Sequence, residues 1–177
     1  MIDVLLTTHV NKKTGLKKNS KRKSALEANP FWKAKKLEEF TQEEWESVCD
    51  GCGKCCLFRL EGEEGQYYTT NVICKLFEES TCQCTDYMNR QMIVPNCLVL
   101  DAELIQTLDW MPITCAYRLL AEGKDLPWWH HLVSSNRDTI HQIGVSVRGK
   151  IEYEKDVDLD DLEDHVVDWF DQSWMVD

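Results

Sequence analysis

The spacing of apolar residues predicts short helices at the start of the folded part of the chain. Asn29 can cap a helix and Pro30 suits a first helical position. Apolar side chains recur between residues 31 and 40, as expected for one buried helix face. Thr41 and Glu44 fit a capping box, so a second short helix should lead directly into the first cysteine.

Alternating and glycine-punctuated segments predict a few short strands. Residues 58–73, FRLEGEEGQYYTTNVI, indicate two strands joined by an acidic turn with glycine at each end. Residues 145–155 alternate well enough for a strand or hairpin, whereas 81–97 should be irregular around their thiols.

Three further helices are predicted in the second half of the chain. We expect Asp101 to cap a helix that runs to Trp110, and Thr114 to cap one that Gly123 ends. Residues 158–170 have the spacing of a closing amphipathic helix. Its inward positions are Leu159, Leu162, Val166 and Trp169 or Phe170.

These elements predict a small, loop-rich α+β domain with short helices and few short strands. We place this single domain at residues 29–172 and expect a bound metal to nucleate its folding. Residues 1–28 are basic, with little to bury, and predict a disordered tail.

Charge is distributed unevenly along the 177 residues. The net charge is −11, yet residues 1–36 carry ten Lys and Arg against two acidic residues, while 37–177 carry ten against 29. We expect no nucleic-acid binding by the acidic domain, because it repels phosphate. The tail fits either a solubilising extension or a tether to nucleic acid or a membrane surface. No apolar run is long enough to cross a bilayer and no signal-peptide pattern is present, so we expect a cytoplasmic protein without membrane contact.

The high cysteine content bears most directly on the function. In a reducing cytosol, so many thiols indicate metal binding or redox chemistry instead of disulfides. The nine candidate metal ligands are Cys49, Cys52, Cys55, Cys56, Cys74, Cys82, Cys84, Cys97 and Cys115.

The stretch CDGCGKCC, residues 49–56, has the spacing of a ligand loop. Two residues between thiols bring the second sulfur back beside the first, and Gly51 and Gly53 permit the tight turn this requires. The run Cys49, Cys52, Cys55 matches the three-cysteine pattern of a [4Fe–4S] site.

Alternative ligand sets remain open at this stage. A [4Fe–4S] cluster would need a remote fourth ligand such as Cys97 or Cys115, whereas zinc could join the first C-x2-C to the pair Cys82 and Cys84. Adjacent Cys55 and Cys56 point in different directions in most backbone conformations. This favours two sites, or one ligand and one bystander, although counting thiols cannot establish two sites. A cycling dithiol is a further option.

Together, these motifs resemble the YcgN-like cysteine-cluster proteins, bacterial members of the CxxCxxCC domain family of zinc or iron chelators. The matching stretches are PFW (30–32), EWESVCDGCGKCCL (44–57), TNVICKL (70–76), TCQC (81–84), YMNR (87–90), VPNC (94–97), TLDWMPITCAYRLLAEGKDLPWWHHL (107–132) and SVRG (146–149). The resemblance spans residues 29–170 and implies that all nine cysteines belong to the family pattern. A related cysteine cluster in the flagellin lysine methylases favours iron–sulfur, but methyl transfer is not carried over because no G-x-G cofactor loop is present.

The sequence therefore predicts a metal-binding protein that holds an iron–sulfur cluster or zinc and contacts a protein partner that the sequence does not identify. It favours a non-catalytic role, because no complete catalytic set is present. An enzyme using the cluster would draw on His130, His131, Asp86 and Arg90. A metal-responsive or redox-responsive regulator is the other alternative.

Overall fold

The fold is known for residues 29–169, which a computed structural model describes. Residues 31–169 belong to a compact unit that begins at Phe31. The predicted tail, residues 1–28, and the end of the predicted domain, residues 170–172, lie outside the described range.

Short elements joined by long loops make up the described residues. The α-helices are α1 (Phe31–Ala34), α2 (Gln42–Val48), α3 (Arg90–Ile93), α4 (Ala116–Ala121), α5 (His131–Ser134) and α6 (Thr139–Gln142). The strands are β1 (Leu57–Glu61), β2 (Tyr67–Ile73), β3 (Phe77–Glu78), β4 (Gln83–Cys84) and β5 (Glu152–Tyr153). Four 3₁₀ segments complete the set, at Leu37–Glu39, Lys54–Cys56, Leu104–Gln106 and Leu159–His165. The α+β prediction is confirmed.

Helix α2 begins at the predicted capping box. The Thr41 hydroxyl accepts a hydrogen bond from the Glu44 backbone N–H at 3.2 Å, and the Glu44 carboxylate accepts one from the Thr41 N–H at 2.9 Å. Both bonds satisfy donors that a helix start otherwise leaves without partners. The helix ends at Val48, fully buried, and so delivers the chain to Cys49.

Strands β1 and β2 form the predicted antiparallel hairpin, with a register irregularity between Leu57 and Arg59. The 145–155 segment supplies only the two-residue strand β5, which pairs in parallel with the end of β2. A second, two-stranded sheet pairs β3 with β4. The prediction that residues 81–97 are irregular was therefore wrong for β4 and for the single turn of α3.

The predictions of helices after Asp101 and Thr114 were only partly correct. Asp101 does cap, accepting from the Leu104 N–H at 2.7 Å, but only a 3₁₀ turn forms. The Thr107 hydroxyl donates to the Leu104 carbonyl at 2.8 Å and competes with helix continuation. The N-cap of α4 is Cys115, not Thr114. Gly123 follows α4 with a positive φ of 71°, as predicted for its end.

The predicted closing amphipathic helix was also wrong. Residues 159–165 form 3₁₀ turns interrupted at Asp161, and none of them is buried. Acidic residues cluster on successive turns here, and their mutual repulsion disfavours a longer helix. Trp169 nevertheless packs inward, and its indole N–H donates to the Thr70 carbonyl at 2.9 Å.

Three clusters of buried side chains form the core. The first lies among the helices and contains Val48, Ile105, Met111, Cys115, Ala116, Tyr117 and Leu126. The second contains Cys52, Trp129, Ile140 and Val145. The third lies at the sheets and contains Leu57, Ile73, Phe77, Cys82 and Val147. None of the helices within residues 29–169 has the length and apolar character needed to cross a membrane.

Candidate metal centre

One cavity gathers nearly all the cysteines. It has a volume of about 530 Å³ and also touches both α2 and the sheets. Eight thiols line it: Cys49, Cys52, Cys55, Cys56, Cys74, Cys84, Cys97 and Cys115. All nine cysteines are free of disulfides, so each of these eight is available as a ligand. We call this space the cysteine cavity.

Two glycines with a left-handed backbone conformation shape the cysteine run, residues 49–56. Gly51 and Gly53 have φ of 75° and 79°, a region that side chains with a Cβ rarely adopt. The 3₁₀ turn that follows closes with a hydrogen bond from the Cys56 N–H to the Gly53 carbonyl at 3.0 Å. Cys55 and Cys56 lie in this turn, and their side chains are close enough to hydrogen-bond to each other.

Neighbouring groups fix the run in place. The Asp50 carboxylate accepts from the Cys52 N–H at 2.9 Å, and the Cys52 carbonyl accepts from the Val147 N–H at 2.9 Å. Upstream, the imidazole of His130 donates through Nε2 to the Val48 carbonyl at 3.0 Å, since its Nδ1 accepts from the Leu132 N–H. His130 is thus a structural anchor for the run.

The remaining cavity thiols come from four other segments. Cys74 follows β2, Cys84 ends β4 and Cys115 caps α4. Cys97 lies after α3, in a turn that its N–H closes on the Val94 carbonyl at 2.9 Å. The fold therefore brings together thiols that are distant in sequence, which residue spacing alone did not predict.

Cys82 lies apart from the other eight. It is 4% exposed and packs in the third core cluster, where its sulfur lies 3.9 Å from Nδ1 of His141. The zinc alternative that joins Cys82 and Cys84 to the first C-x2-C would need both thiols at one point. In this structure Cys84 faces the cysteine cavity while Cys82 does not.

Several of the cavity thiols have a raised pKa, which favours their protonated form in the absence of a metal. Burial raises the pKa of Cys49 to about 12 and raises the pKa of Cys52 and Cys115 well above the ordinary range. The pKa of Cys55 is raised first by its hydrogen bond with the Cys56 side chain and then by burial. A bound metal must therefore displace protons, which makes its binding more favourable at higher pH.

One buried cation, Lys54, and one half-buried cation, Arg59, adjoin the thiols. Lys54 is only 4% exposed; burial lowers its pKa, while Cys52 and Asp50 act in the opposite direction. Burial likewise lowers the pKa of Arg59, which Cys55 opposes. Positive charge at these positions can offset thiolate charge in a site of low dielectric constant. Sequence analysis missed both residues, although the Lys54 position inside CGKCC was a usable signal.

A second cavity shares a wall with the first. It has a volume of about 410 Å³ and is lined by Lys54, Arg118 and Thr114 among others. Arg59 and Trp110 line both cavities, with the guanidinium 3.9 Å from the indole ring centre. The Thr114 hydroxyl and the Arg59 Nε are buried without a hydrogen-bond partner in the described part of the chain. We call this space the basic cavity.

Two other residues considered for an enzyme, Arg90 and Asp86, have different surroundings. Arg90 lines the cysteine cavity, whereas Asp86 accepts hydrogen bonds from Asn89. Across residues 29–169, no three His, Cys, Asp or Glu side chains are arranged so that they could hold one metal ion.

The site defines the class of protein: a small cysteine-rich α+β protein with its thiols collected in one cavity. Similar proteins include UPF0260 proteins of Parvibaculum lavamentivorans, Agrobacterium fabrum and Rhodopseudomonas palustris, which are 50%, 52% and 53% identical to the chain over 141 residues. The alignments cover 78–79% of this chain and 92%, 87% and 83% of those proteins, respectively. The chain therefore belongs to the UPF0260 family. No family model matches the chain, and no solved structure matches it.

Proposed function

We propose that this chain is a metal-binding protein whose cysteine thiolates hold an iron–sulfur cluster in the cysteine cavity. One observation carries the proposal: eight of the nine cysteines line a single cavity although they come from widely separated segments. Thiolates are the usual ligands of iron–sulfur clusters. The resemblance of the chain to the YcgN-like CxxCxxCC proteins supports the same chemistry.

The size of the cavity favours a cluster over a single zinc ion. Four thiolates close around zinc at about 2.3 Å and leave no room beside it, whereas a volume of about 530 Å³ is on the scale of a small-molecule site. Lys54 and Arg59 add compensating positive charge beside Cys52 and Cys55. Zinc is the alternative metal that the test below distinguishes.

A bound cluster would supply one-electron redox chemistry and would hold the loops together. We infer a structural, carrier or electron-transfer role in the cytoplasm, with a protein partner that receives or supplies the electron or the cluster. This role accounts for the density of thiols and needs no catalytic group. A regulatory role through the basic tail depends on residues 1–28, which lie outside the described range.

A second candidate function is an enzyme in which the cluster acts on a small anion. The basic cavity favours it, because Lys54, Arg59 and Arg118 line a space that shares the Arg59–Trp110 wall with the cysteine cavity. Buried polar atoms of Thr114 and Arg59 lack partners within the described residues, as expected where a ligand supplies the missing bonds. A measurable affinity for inorganic phosphate or acetate that Thr114→Val weakens would support this candidate. Absence of binding by either anion would remove its support.

The primary test is anaerobic purification followed by metal and sulfide analysis and a visible spectrum. We expect iron with acid-labile sulfide and a broad absorption band near about 400 nm. Cys52→Ser should lose metal and stability, since Cys52 lines the cavity. Cys82→Ser, at a buried cysteine outside it, is the matched control and should keep its metal. If the protein is colourless and contains zinc, zinc takes the place of iron in the proposal. If it contains no metal, the proposal is wrong.

A further inference from the structure

The wall of the basic cavity contains a buried hydroxyl that makes no hydrogen bond. Thr114 is only 1% exposed, and its hydroxyl has no partner among residues 29–169. Burying a hydroxyl without a partner is costly, so such groups are normally satisfied by the protein, by water or by a ligand. Because Thr114 lines the basic cavity, an acceptor bound there could supply the missing bond.

Arg59 provides a second donor in the same wall. Its terminal nitrogens donate to the Lys54 carbonyl at 2.8 Å and to the Leu57 carbonyl at 3.4 Å, and both acceptors are neutral. The guanidinium lies 3.9 Å from the ring centre of Trp110, and its Nε is buried without a partner in the described part of the chain. These contacts hold the guanidinium in place but do not neutralise its charge.

The other charges around the cavity have nearby partners or are screened. Arg118 forms an ion pair at 2.8 Å with the carboxylate four residues further along the chain, and Lys54 interacts with the buried Asp50. Asp109 also lines the cavity, but it is exposed, so water and salt screen its charge. Arg59 is therefore the cation that is most available to a ligand, which favours a ligand with one negative charge.

Apolar side chains form much of the remaining wall. Trp110, Met111 and Trp169 contribute, and the indole N–H of Trp169 fixes its ring by donating to the Thr70 carbonyl at 2.9 Å. Ile113 lines the cavity as well and is 37% exposed. An inorganic ion would leave this apolar surface in contact with water, whereas a ligand with an apolar body would cover it. The volume of about 410 Å³ lies in the range of small-molecule sites.

We propose that the basic cavity binds a small organic carboxylate with an apolar body. The carboxylate group pairs with Arg59 and accepts a hydrogen bond from the Thr114 hydroxyl, and the apolar body lies against Trp169 and Ile113. The inference rests on the second candidate function for its site and deepens it by naming the class of ligand, but it requires no metal. Since Arg59 and Trp110 line both cavities, the bound carboxylate would lie beside the cysteine cavity.

Isothermal titration calorimetry of the full chain at constant ionic strength tests the proposal with three probes. Benzoate carries a carboxylate on a planar apolar body, acetate keeps only the carboxylate, and benzamide keeps the shape without the charge. We expect one benzoate to bind per chain, about tenfold more tightly than acetate because of the apolar wall, and about tenfold more tightly than benzamide because of Arg59. Equal affinities for benzoate and benzamide would overturn the inference.

Two substitutions locate the binding site, because Ile113 and Thr114 line the basic cavity but not the cysteine cavity. Thr114→Val keeps the shape of the side chain and should weaken benzoate binding about tenfold. It should not lower the Tm of the free protein, since the hydroxyl has no bond to lose within the described residues. Ile113→Glu places a carboxylate in a partly exposed part of the wall and should abolish binding. Thr107→Val is the matched control, because that hydroxyl bonds to the Leu104 carbonyl outside the cavity; its affinity should equal that of wild type.

The outcomes separate this inference from the functions proposed above. No benzoate binding by wild type, or binding that both cavity variants retain, would overturn the inference. Tighter binding of inorganic phosphate or acetate than of benzoate would keep the second candidate function and overturn the carboxylate class. Metal analysis of the same preparation completes the test. Metal-loaded protein that binds no benzoate would overturn the inference alone, whereas metal-free protein that binds it with the expected variant effects would overturn only the proposed metal-binding function.

Discussion

Gly53 has a role that its backbone conformation and its surroundings both define. Its φ is +79°, and a Cβ built there would lie 2.6 Å from Cγ2 of Val147 and 2.7 Å from Cζ of Phe77. We expect Gly53→Ala to lower the free energy of unfolding by about 3 kcal/mol, from the left-handed backbone and the overpacking together. Because the residue lies between Cys52 and Cys55, metal content should fall as well.

A matched substitution separates the two causes. Gly123 also has a positive φ, of +71°, but a Cβ there would meet no atom within 4 Å. Gly123→Ala should therefore cost only about 1 kcal/mol and leave metal content unchanged. Denaturant unfolding and metal analysis of both variants provide the measurements. Equal losses of stability would contradict the proposed crowding at Gly53.

His130 makes the fold sensitive to acid. It is fully buried, and burial lowers its pKa from 6.5 to about 4, with a smaller contribution from His131 and Arg137. The unfolded chain therefore binds the proton more readily, so stability is constant above about pH 6.5 and falls as the pH drops towards 4. The full effect is about 3 kcal/mol.

His130→Asn isolates this contribution. Asparagine can still cap α5 but loses the bond to the Val48 carbonyl, so stability at pH 7 should fall by about 1 kcal/mol. Between pH 6.5 and 4, the variant should lose less stability than wild type. Unfolding curves across this range provide the comparison. Parallel curves for the two proteins would mean that His130 does not titrate as described.

At the scale of elements, the contact between α2 and α4 places Cys49 and Cys115 in one cavity. The Trp45 and Tyr117 rings lie 4.7 Å apart, and the Tyr117 hydroxyl donates to the Trp45 carbonyl. Tyr117→Phe keeps the ring but removes this bond, so we expect the free energy of unfolding to fall by about 1 kcal/mol and metal to be retained less tightly near Cys49 and Cys115. Chelator-release kinetics and thermal melts measure the two effects.

The control for this prediction is Tyr153→Phe in β5. That ring stacks against Lys155, outside the α2–α4 contact, and its substitution should not change the rate of metal release. If Tyr117→Phe releases metal at the wild-type rate, the hydrogen bond between the two helices does not position Cys49 and Cys115 for metal binding.

Local signals in the sequence predicted some elements and not others. The capping box of α2 and the β1–β2 hairpin depend on residues a few positions apart, and both predictions are confirmed. The closing helix failed because apolar periodicity did not account for repulsion among acidic residues on successive turns. Strand β5 pairs with β2 in parallel, a contact between distant segments that no local pattern encodes.

The sequence predicted the nine cysteines as candidate ligands, but it did not predict which of them line one cavity. The adjacency of Cys55 and Cys56 predicted divergent side chains, which the hydrogen bond between the two side chains contradicts. Separating Cys82 from the cavity required tertiary packing against His141. Lys54 and Arg59 were missed for a similar reason, since a lysine or arginine is normally exposed and only the fold shows that these two adjoin the thiols.

At the scale of the whole molecule, the cavity joins elements that have no common hydrophobic core. Cys115 belongs to the first core cluster, and Cys56 packs against the third. A bound metal would therefore cross-link two separately packed regions, and its binding free energy would add to that of folding.

Removal of the metal should therefore lower the thermal stability of the entire fold. Binding at a thousand times the dissociation constant is worth about 4 kcal/mol, which corresponds to a fall of about 10 °C in Tm for a chain of this size. Anaerobic chelation followed by thermal unfolding provides the measurement. The double variant Cys52→Ser with Cys115→Ser, which lacks two of the proposed ligands, should show a smaller fall in Tm on chelation than wild type. If chelation removes the metal from wild type but leaves Tm unchanged, the metal does not cross-link the two regions, and the cavity forms without it.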